Sequence, residues 1–211
     1  MIAAEAVQRH FRILTVCTGN ICRSPLAEYL LRDGVQRWPL VEVASAGTGA
    51  LVDRPMTDQT IAIAHGLGIA APEGHRARML DINHLRDANL VIALTRSHRS
   101  EIVGMLPRGS RHTFTLRELA RLLEAVQTAD LETVAGLPLE DTVGRLEELI
   151  RIAASLRGFV APPDEEIDDD VIDPYRRSDD VYETSAAQLV PAVHSILGRF
   201  ELAASVTPGQ L

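Results

Sequence analysis

The chain has 211 residues, 46% of them hydrophobic and 24% charged, with a formal net charge of −8. That length can bury a full core and fits a single domain over 1–211, and the composition is that of an ordinary globular chain. The acidic balance argues against nucleic-acid binding, and no apolar run reaches the roughly 18 residues that would suggest a membrane span.

At the N-terminus, MIAAEAVQRHF is apolar only briefly, carries Glu5, Arg9 and His10, and lacks a signal-peptide layout. The two cysteines, Cys17 and Cys22, do not amount to a disulfide framework, so a reducing cytoplasmic location is expected. RILTVC (Arg12–Cys17) is a short apolar run suited to a buried parallel strand. A turn follows at TGN, and Ser24–Pro25 then opens a segment with helical spacing. VEVASAG (Val41–Gly47) reads as a second strand and TDQTIAIAHGLG (Thr57–Gly68) as a helix ending at glycine. ANLVIALT (Ala88–Thr95) is a third strand, and SRHTFTL (Ser110–Leu116) contains a fourth. This alternation predicts an α/β fold with a parallel sheet.

From Leu116 to about Gly158 the pattern is helical, with a break around Gly136–Pro138. Within it Leu139, Val143, Leu146, Ile150 and Ala153 recur at helical spacing, as on an apolar helix face. Ala161–Tyr175 reads as a proline-bearing acidic loop. Its run Asp164–Asp170 lacks the regular spacing of a calcium loop, so a solvated loop is expected and no metal is called for. Ser185–Phe200 reads as a closing amphipathic helix with Pro191 as a kink site, and the tail SVTPGQL as frayed.

An acidic chain that handles an anion must build a local positive field, and CTGNICRS (Cys17–Ser24) can do so. A loop between strand and helix turns several backbone N–H groups into one concavity, and the helix adds the positive end of its dipole. The amides of Thr18, Gly19, Asn20, Ile21, Cys22, Arg23 and Ser24 are the candidates to cradle a tetrahedral phosphate. The same field stabilises a thiolate at Cys17. Gly19 permits tight curvature and close ligand approach, and Asn20 tolerates a left-handed conformation. Arg23 offers a bidentate fork, and the hydroxyl of Ser24 a donor to the thiolate.

A cysteine at the end of a buried strand is ordinarily only a core residue. What separates Cys17 from that reading is its five-residue spacing to Arg23, with Ser24 following, in a strand–loop–helix context. A cysteine attacking phosphorus needs a proton donor for the leaving oxygen, and Asp173 in DPY is the best placed. Pro174 restricts the loop behind it, and Tyr175 has a ring suited to a substrate entrance.

CTGNICRSPLAE, SAGTGAL (Ser45–Leu51), HRARML (His75–Leu80) and the late DPY together resemble the low-molecular-weight protein tyrosine phosphatase family. The likeness runs from about Arg12 to Ala120 and resumes near Val171. It implies a four-stranded parallel sheet with helices on both sides, no metal and no cofactor, and a phosphorylated protein as substrate. By the same resemblance Cys17 is the nucleophile, Arg23 the phosphate-binding arginine and Asp173 the general acid. Asn20, Ser24, Ser45 and His75 match polar positions that brace the loop. Cys22 matches the thiol that can trap an oxidised nucleophile as a disulfide; a packed thiol with no redox role is the other reading.

The chain also departs from that pattern. Leu51 stands on the substrate entrance where many members have an aromatic residue, and Ala93–Ile102 is like that of bacterial members, some of which act on phosphoarginine. The segment 122–170 is longer than compact members need, and an added helical hairpin packed on the body, or a lid or partner-binding element, is expected there. Other readings are a protein-arginine phosphatase, a small-thiol-dependent arsenate reductase, or an inactive phosphoprotein-binding module. An intramolecular reductase route would need further cysteines, and none follows Cys22. Nothing in the sequence points to a particular oligomeric state.

Overall fold

Phe11–Cys17 forms strand β1, and its side chains divide by period two between the two faces of a sheet. Ile13 and Cys17 enter one apolar cluster, while Leu14 and Val16 enter another on the opposite face. A strand buried on both sides in this way belongs in the middle of a parallel sheet. The computed structural model of the protein, which describes residues 9–210, has this arrangement. The N-terminal segment read above for a signal layout lies largely outside those residues.

The sheet has four parallel strands in the order β2-β1-β3-β4, with β2 at Val41–Gly47, β3 at Leu90–Ala93 and β4 at Thr113–Thr115. Between β1 and β2 runs α1 (Arg23–Val35); α2 (Asp58–Gly66) and α3 (Ile82–Asp87) lie between β2 and β3. Helix α4 (Arg96–Met105) joins β3 to β4, and α5 (Leu116–Ala125) follows β4. The third and fourth strands are shorter than the apolar runs that announce them.

One face is covered by residues of α1, α5 and the C-terminal helices, and the other by Leu85 of α3 and Ile102 of α4. Helix α2 starts on Thr57, whose hydroxyl accepts from Thr60 N–H, and the chain turns out of it at Gly68 with φ +80°. That left-handed conformation is the reason for a glycine there. Because β1 has β2 on one side and β3 on the other, the chain reverses direction across the sheet beside its C-terminal end. In open parallel sheets that switch point is where a crevice opens, and Cys17 is at its lip.

The segment beyond α5 is helical, with a short α6 (Glu132–Ala135) and a long α7 (Thr142–Ser155). Val143, Leu146, Ile150 and Ala153 are buried in the same cluster as β1, so this segment packs on the body. Leu139 does not share that face. It precedes the helix, which is capped by Asp141, and is 52% exposed. The closing helix α8 runs Asp179–Ser205, starting earlier and ending later than its apolar pattern, with Pro191 inside it. Phe200 of α8 meets Phe11 of β1 edge to face at 6.1 Å. The tail is better ordered than expected: Val206 is buried and Pro208–Gln210 form a 3-10 turn.

Arg145 explains that order. It is fully buried in α7 and donates to the carbonyls of Leu137, Ala203 and Val206, tying the segment before α7 and the end of α8 together. Charge-assisted bonds to carbonyls stabilise only while all partners stay paired. Arg145→Ala leaves the buried carbonyls of Ala203 and Val206 and the part-buried one of Leu137 without this donor, and a loss of about 3 kcal/mol is expected. Thermal or urea unfolding of the variant checks this, and an unchanged midpoint would mean the carbonyls find other donors.

Candidate active site

The peptide planes of the loop Cys17–Cys22 are turned by their carbonyls. Cys17, Thr18 and Gly19 oxygens accept from the amides of Thr48, Gly49 and Leu51 at 3.0–3.1 Å. Ile21 and Cys22 oxygens accept from Thr57 and Leu26 amides, at 3.0 and 3.2 Å. Asn20 oxygen accepts from His75 Nε2 at 2.7 Å. Six successive carbonyls therefore face the body, and the N–H groups on the other edge of the loop have no protein acceptor among the described residues. Amides in such a concave run form a nest for an anion.

Asn20 makes the turn, with φ 54° in the left-handed region that asparagine tolerates. Gly19 has no such φ, so its expected role in curvature falls away; what it leaves is an open wall, since it lines the cavity. The glycine that geometry demands is Gly47 on β2, where a Cβ would sit 2.2 Å from the Thr18 carbonyl oxygen. Helix α1 then begins at Arg23, one residue before the predicted serine, on Cys22 as a cap without a side-chain bond.

Cys17 Sγ lies 3.0 Å from Ser24 Oγ. The direction of that bond follows from the network behind it. Asn20 Oδ1 accepts from Arg78 N–H at 2.9 Å, which fixes the amide, and Nδ2 donates to Ser24 at 2.9 Å and Ser45 at 2.8 Å. Ser45 in turn donates to the Glu28 carboxylate, an acceptor only. Ser24 oxygen is thus occupied by an incoming N–H, and its own proton can go to the sulfur, the Ala46 oxygen being the longer alternative at 3.5 Å. Glu28 is 1% exposed and also pairs with Arg32, while Arg78 and His75 lie 3.9 Å from it. Its burial on α1 was not singled out from sequence, although a carboxylate between Ala27 and Leu30 on a helix of buried residues was a signal.

A cavity of about 130 Å³ opens above the sulfur, lined by the loop with Gly49, Leu51, Asp173 and Tyr175. Arg23 is 4% exposed; Nη1 donates to Val171 oxygen at 3.1 Å and Nη2 pairs with Asp173 Oδ2 at 2.6 Å. Its Nε is buried without a partner among the described residues. Asp173 is half-exposed, and its Oδ1 accepts from Tyr175 N–H at 3.1 Å. Leu51 and Tyr175 stand exposed at the rim. Cysteine, arginine and aspartate, more than 150 residues apart at the extremes, thus share one cavity.

Cys22 lines the same cavity, but its thiol meets Thr57 Oγ1 at 3.6 Å and Tyr182 OH at 3.8 Å. Burial pushes that thiol's pKa up, and Tyr182 is pushed up to about 12, also first by burial. Both cysteines are free. His98 was missed by the sequence reading. Its Nε2 lies 2.8 Å from Thr18 Oγ1 and its Nδ1 2.8 Å from Thr95 Oγ1, the N-cap of α4, so it braces the start of the loop Cys17–Cys22. Among the described residues no cluster of three or more His, Cys, Asp or Glu is arranged to hold a metal ion.

A family model for low molecular weight phosphotyrosine protein phosphatase matches residues 12–135. The protein-tyrosine-phosphatase Etp of Escherichia coli K12 is 41% identical over 97 residues, 45% of this chain and 62% of that one. A protein-arginine-phosphatase of Geobacillus stearothermophilus is 39% identical over 108 residues, 51% of this chain and 70% of that one. The chain thus spans less than two thirds of Etp. Among solved structures, the YwlE arginine phosphatase of Geobacillus stearothermophilus superposes with a TM-score of 0.60 at 27% identity, covering 90% of this chain and 93% of that one. The tyrosine phosphatase Wzb of Escherichia coli K30 has the same fold, at TM-score 0.62 and 24% identity, covering 90% and 97%.

The brace has a pH signature. His98 is lowered from 6.5 to about 4, first by burial and then by the nearby Arg23 cation. Between those values the unfolded chain binds a proton that the folded one refuses, so stability rises with pH across the window and falls as pH drops from 7 to 4. This one histidine is expected to cost roughly 2 kcal/mol by about pH 5. Denaturant unfolding from pH 4 to 7 should show a shallower slope for His98→Asn; equal slopes would assign the acid sensitivity elsewhere.

Proposed function

The chain belongs to the low molecular weight phosphotyrosine protein phosphatase family, and on that premise we propose that it hydrolyses phosphotyrosine in proteins through a cysteinyl-phosphate. The observation that carries the reading is the set of carbonyls bonded to the body, which leaves the N–H edges of the loop free toward the cavity that Cys17 and Arg23 line. A tetrahedral dianion is the ligand such a ring suits, and the buried Arg23 Nε, which would otherwise cost about 1–3 kcal/mol unpaired, gains an acceptor from it.

In the first step Cys17 thiolate forms a bond to phosphorus while the phosphorus–phenolic oxygen bond breaks. Asp173 transfers its proton to that oxygen. In the second, water attacks phosphorus, Asp173 takes up a proton, and the sulfur–phosphorus bond breaks with its electron pair returning to sulfur. Ser24 donates to that returning thiolate, as the Asn20–Ser45–Glu28 chain directs. The amides of Thr18 to Ser24 and the Arg23 guanidinium stabilise the charge on the equatorial oxygens in both steps. Asn20, Ser24, Ser45 and His75 hold the loop in shape. Cys22 is the residue able to cap an oxidised Cys17 as a disulfide, which requires its thiol to turn away from Thr57 and Tyr182.

The rim favours an aromatic ester over a guanidinium. Ile21, Leu51 and Tyr175 give an apolar wall, and Asp173, the one carboxylate lining the cavity among the described residues, is engaged by Arg23. The relatives named as arginine phosphatases keep phosphoarginine as the second reading. We place the reaction on a cytoplasmic phosphoprotein; among the described residues no helix is long and apolar enough to cross a membrane.

Hydrolysis of p-nitrophenyl phosphate is expected from the wild-type chain and is abolished by Cys17→Ser. Retained turnover in that variant would remove the covalent mechanism, and a wild type without turnover would leave only a phosphoprotein-binding module. With phosphopeptides, kcat/KM is expected to be higher for phosphotyrosine. A preference above tenfold for phosphoarginine overturns the substrate assignment. Arsenate-dependent consumption of a small thiol in place of phosphate release would point to the reductase.

A further inference from the structure

The acidic run Asp164–Asp170 is not simply a solvated loop. Its first residues are exposed, but Asp169 is only 15% exposed and takes a bidentate bond from Arg121 Nη2 of α5, 3.1 Å to each oxygen. The next residue is held twice: Asp170 Oδ1 accepts the backbone N–H of Arg96 at the start of α4 at 2.7 Å, and its carbonyl accepts from Arg117 Nη1 at 3.2 Å. Then Val171, fully buried, donates its N–H to Leu94 oxygen at 2.9 Å and accepts from Arg23 at 3.1 Å. Ile172 N–H reaches Gln188 Oε1 of α8 at 2.8 Å. At the end of this series stands Asp173, half-exposed, with Tyr175 N–H and the Arg23 fork as its contacts.

We propose that Asp169 and Asp170 are positioning residues, which hold the strap 169–172 on α4 and α5 and thereby set where the Asp173 carboxyl stands over the sulfur. The physical reason is the exposure of Asp173 itself. A side chain with one backbone bond and one ion pair has little to fix its reach, so its accuracy must come from the backbone that carries it. Proton transfer falls off when donor and leaving oxygen are out of hydrogen-bond range. The strap meets this need with bonds of the stronger, charge-assisted kind, and Asp170 lies where a negative charge is favoured, at a helix N-terminus. The inference rests on the phosphatase reading, with Asp173 as the acid.

Leaving-group dependence tests it. A p-nitrophenolate leaves with little help, whereas the phenolate of phenyl phosphate or phosphotyrosine needs the proton in the transition state. Arg121→Ala, Asp169→Asn and Asp170→Asn are compared with wild type on phenyl phosphate and p-nitrophenyl phosphate, with thermal melting as a check on folding. Expected is a loss in kcat/KM, which reports the step that expels the phenol and not the later hydrolysis, of roughly tenfold on phenyl phosphate, part of the 10²–10⁴ that a general acid contributes. On p-nitrophenyl phosphate the loss stays within about twofold, because that ester draws little on the acid. In an Asp173→Asn background the same changes should add no further loss, since no acid remains to be placed. Equal losses on both esters, additive losses in that background, or no loss in any variant overturns the proposal. Should the wild type hydrolyse neither ester, the phosphatase reading fails first; wild-type activity on both with unselective variants sinks the strap alone.

Discussion

The cavity around Cys17 depends on where six carbonyls point. A peptide plane has a donor edge and an acceptor edge, so satisfying every oxygen of Cys17–Cys22 on the body side forces the N–H edges toward the opening. This is how a chain of net charge −8 makes a local field for an anion without surrounding the site with basic side chains. The amides carry only partial charge, but their aim is fixed before a ligand arrives, so little reorganisation is left to oppose binding or charge development. The requirement spreads outward. Thr48, Gly49 and Leu51 must follow the loop closely, which is why β2 ends in a glycine whose Cβ would strike the Thr18 carbonyl.

Behind the loop, polarity is handed along a buried chain from Glu28 through Ser45 and Asn20 to Ser24. A fully buried carboxylate is costly unless paired and hydrogen-bonded. Here it has Ser45 and Arg32, with Arg78 and His75 just beyond hydrogen-bond range. Its function in this arrangement is directional. Because a carboxylate can only accept, every donor before it is committed, and the proton of Ser24 is left to choose between the sulfur at 3.0 Å and the Ala46 oxygen at 3.5 Å. The ring of His75 is likewise settled by its partner: a carbonyl accepts, so Nε2 carries the hydrogen, and burial lowers the pKa of the imidazole.

How much of this was legible in the chain follows from sequence separation. The strand, loop and helix around Cys17 are consecutive, and their signals are local: an apolar run, a turn, an arginine and a serine. Asp173 could be named because a nucleophile on phosphorus needs an acid and the DPY turn was the best placed. Residues whose meaning depends on a distant partner were not readable. Arg145 looks like one more charge on an amphipathic helix until three carbonyls from beyond its own helix close on it. His98 and Thr18 are 80 residues apart. Leu139 fitted the helical period, yet the Asp141 cap starts α7 after it. Periodicity reports which faces repeat, and it does not report where capping cuts the repeat off.

The added segment raises a question of precision. Lengthening a surface connection costs little stability, since loop-closure entropy grows only with the logarithm of length. Its cost to a catalytic group at its end is different in kind, because a longer tether widens the range of positions that group explores. Between Ser155 and Asp179 the chain has one 3-10 turn, Glu166–Asp169, and no longer helix. A free tether of that length would leave Asp173 poorly defined over a sulfur that is itself held within a few bonds. The contacts of residues 169–172 to α4, α5, α8 and Leu94 just after β3 divide the tether into an exposed part up to about Asp168, held at Ala161 by Arg121 and at Glu166 by Arg96, and a short, more closely held part that carries Asp173. Drift in the first part must then pass those contacts before it reaches Asp173 and its pairing with Arg23.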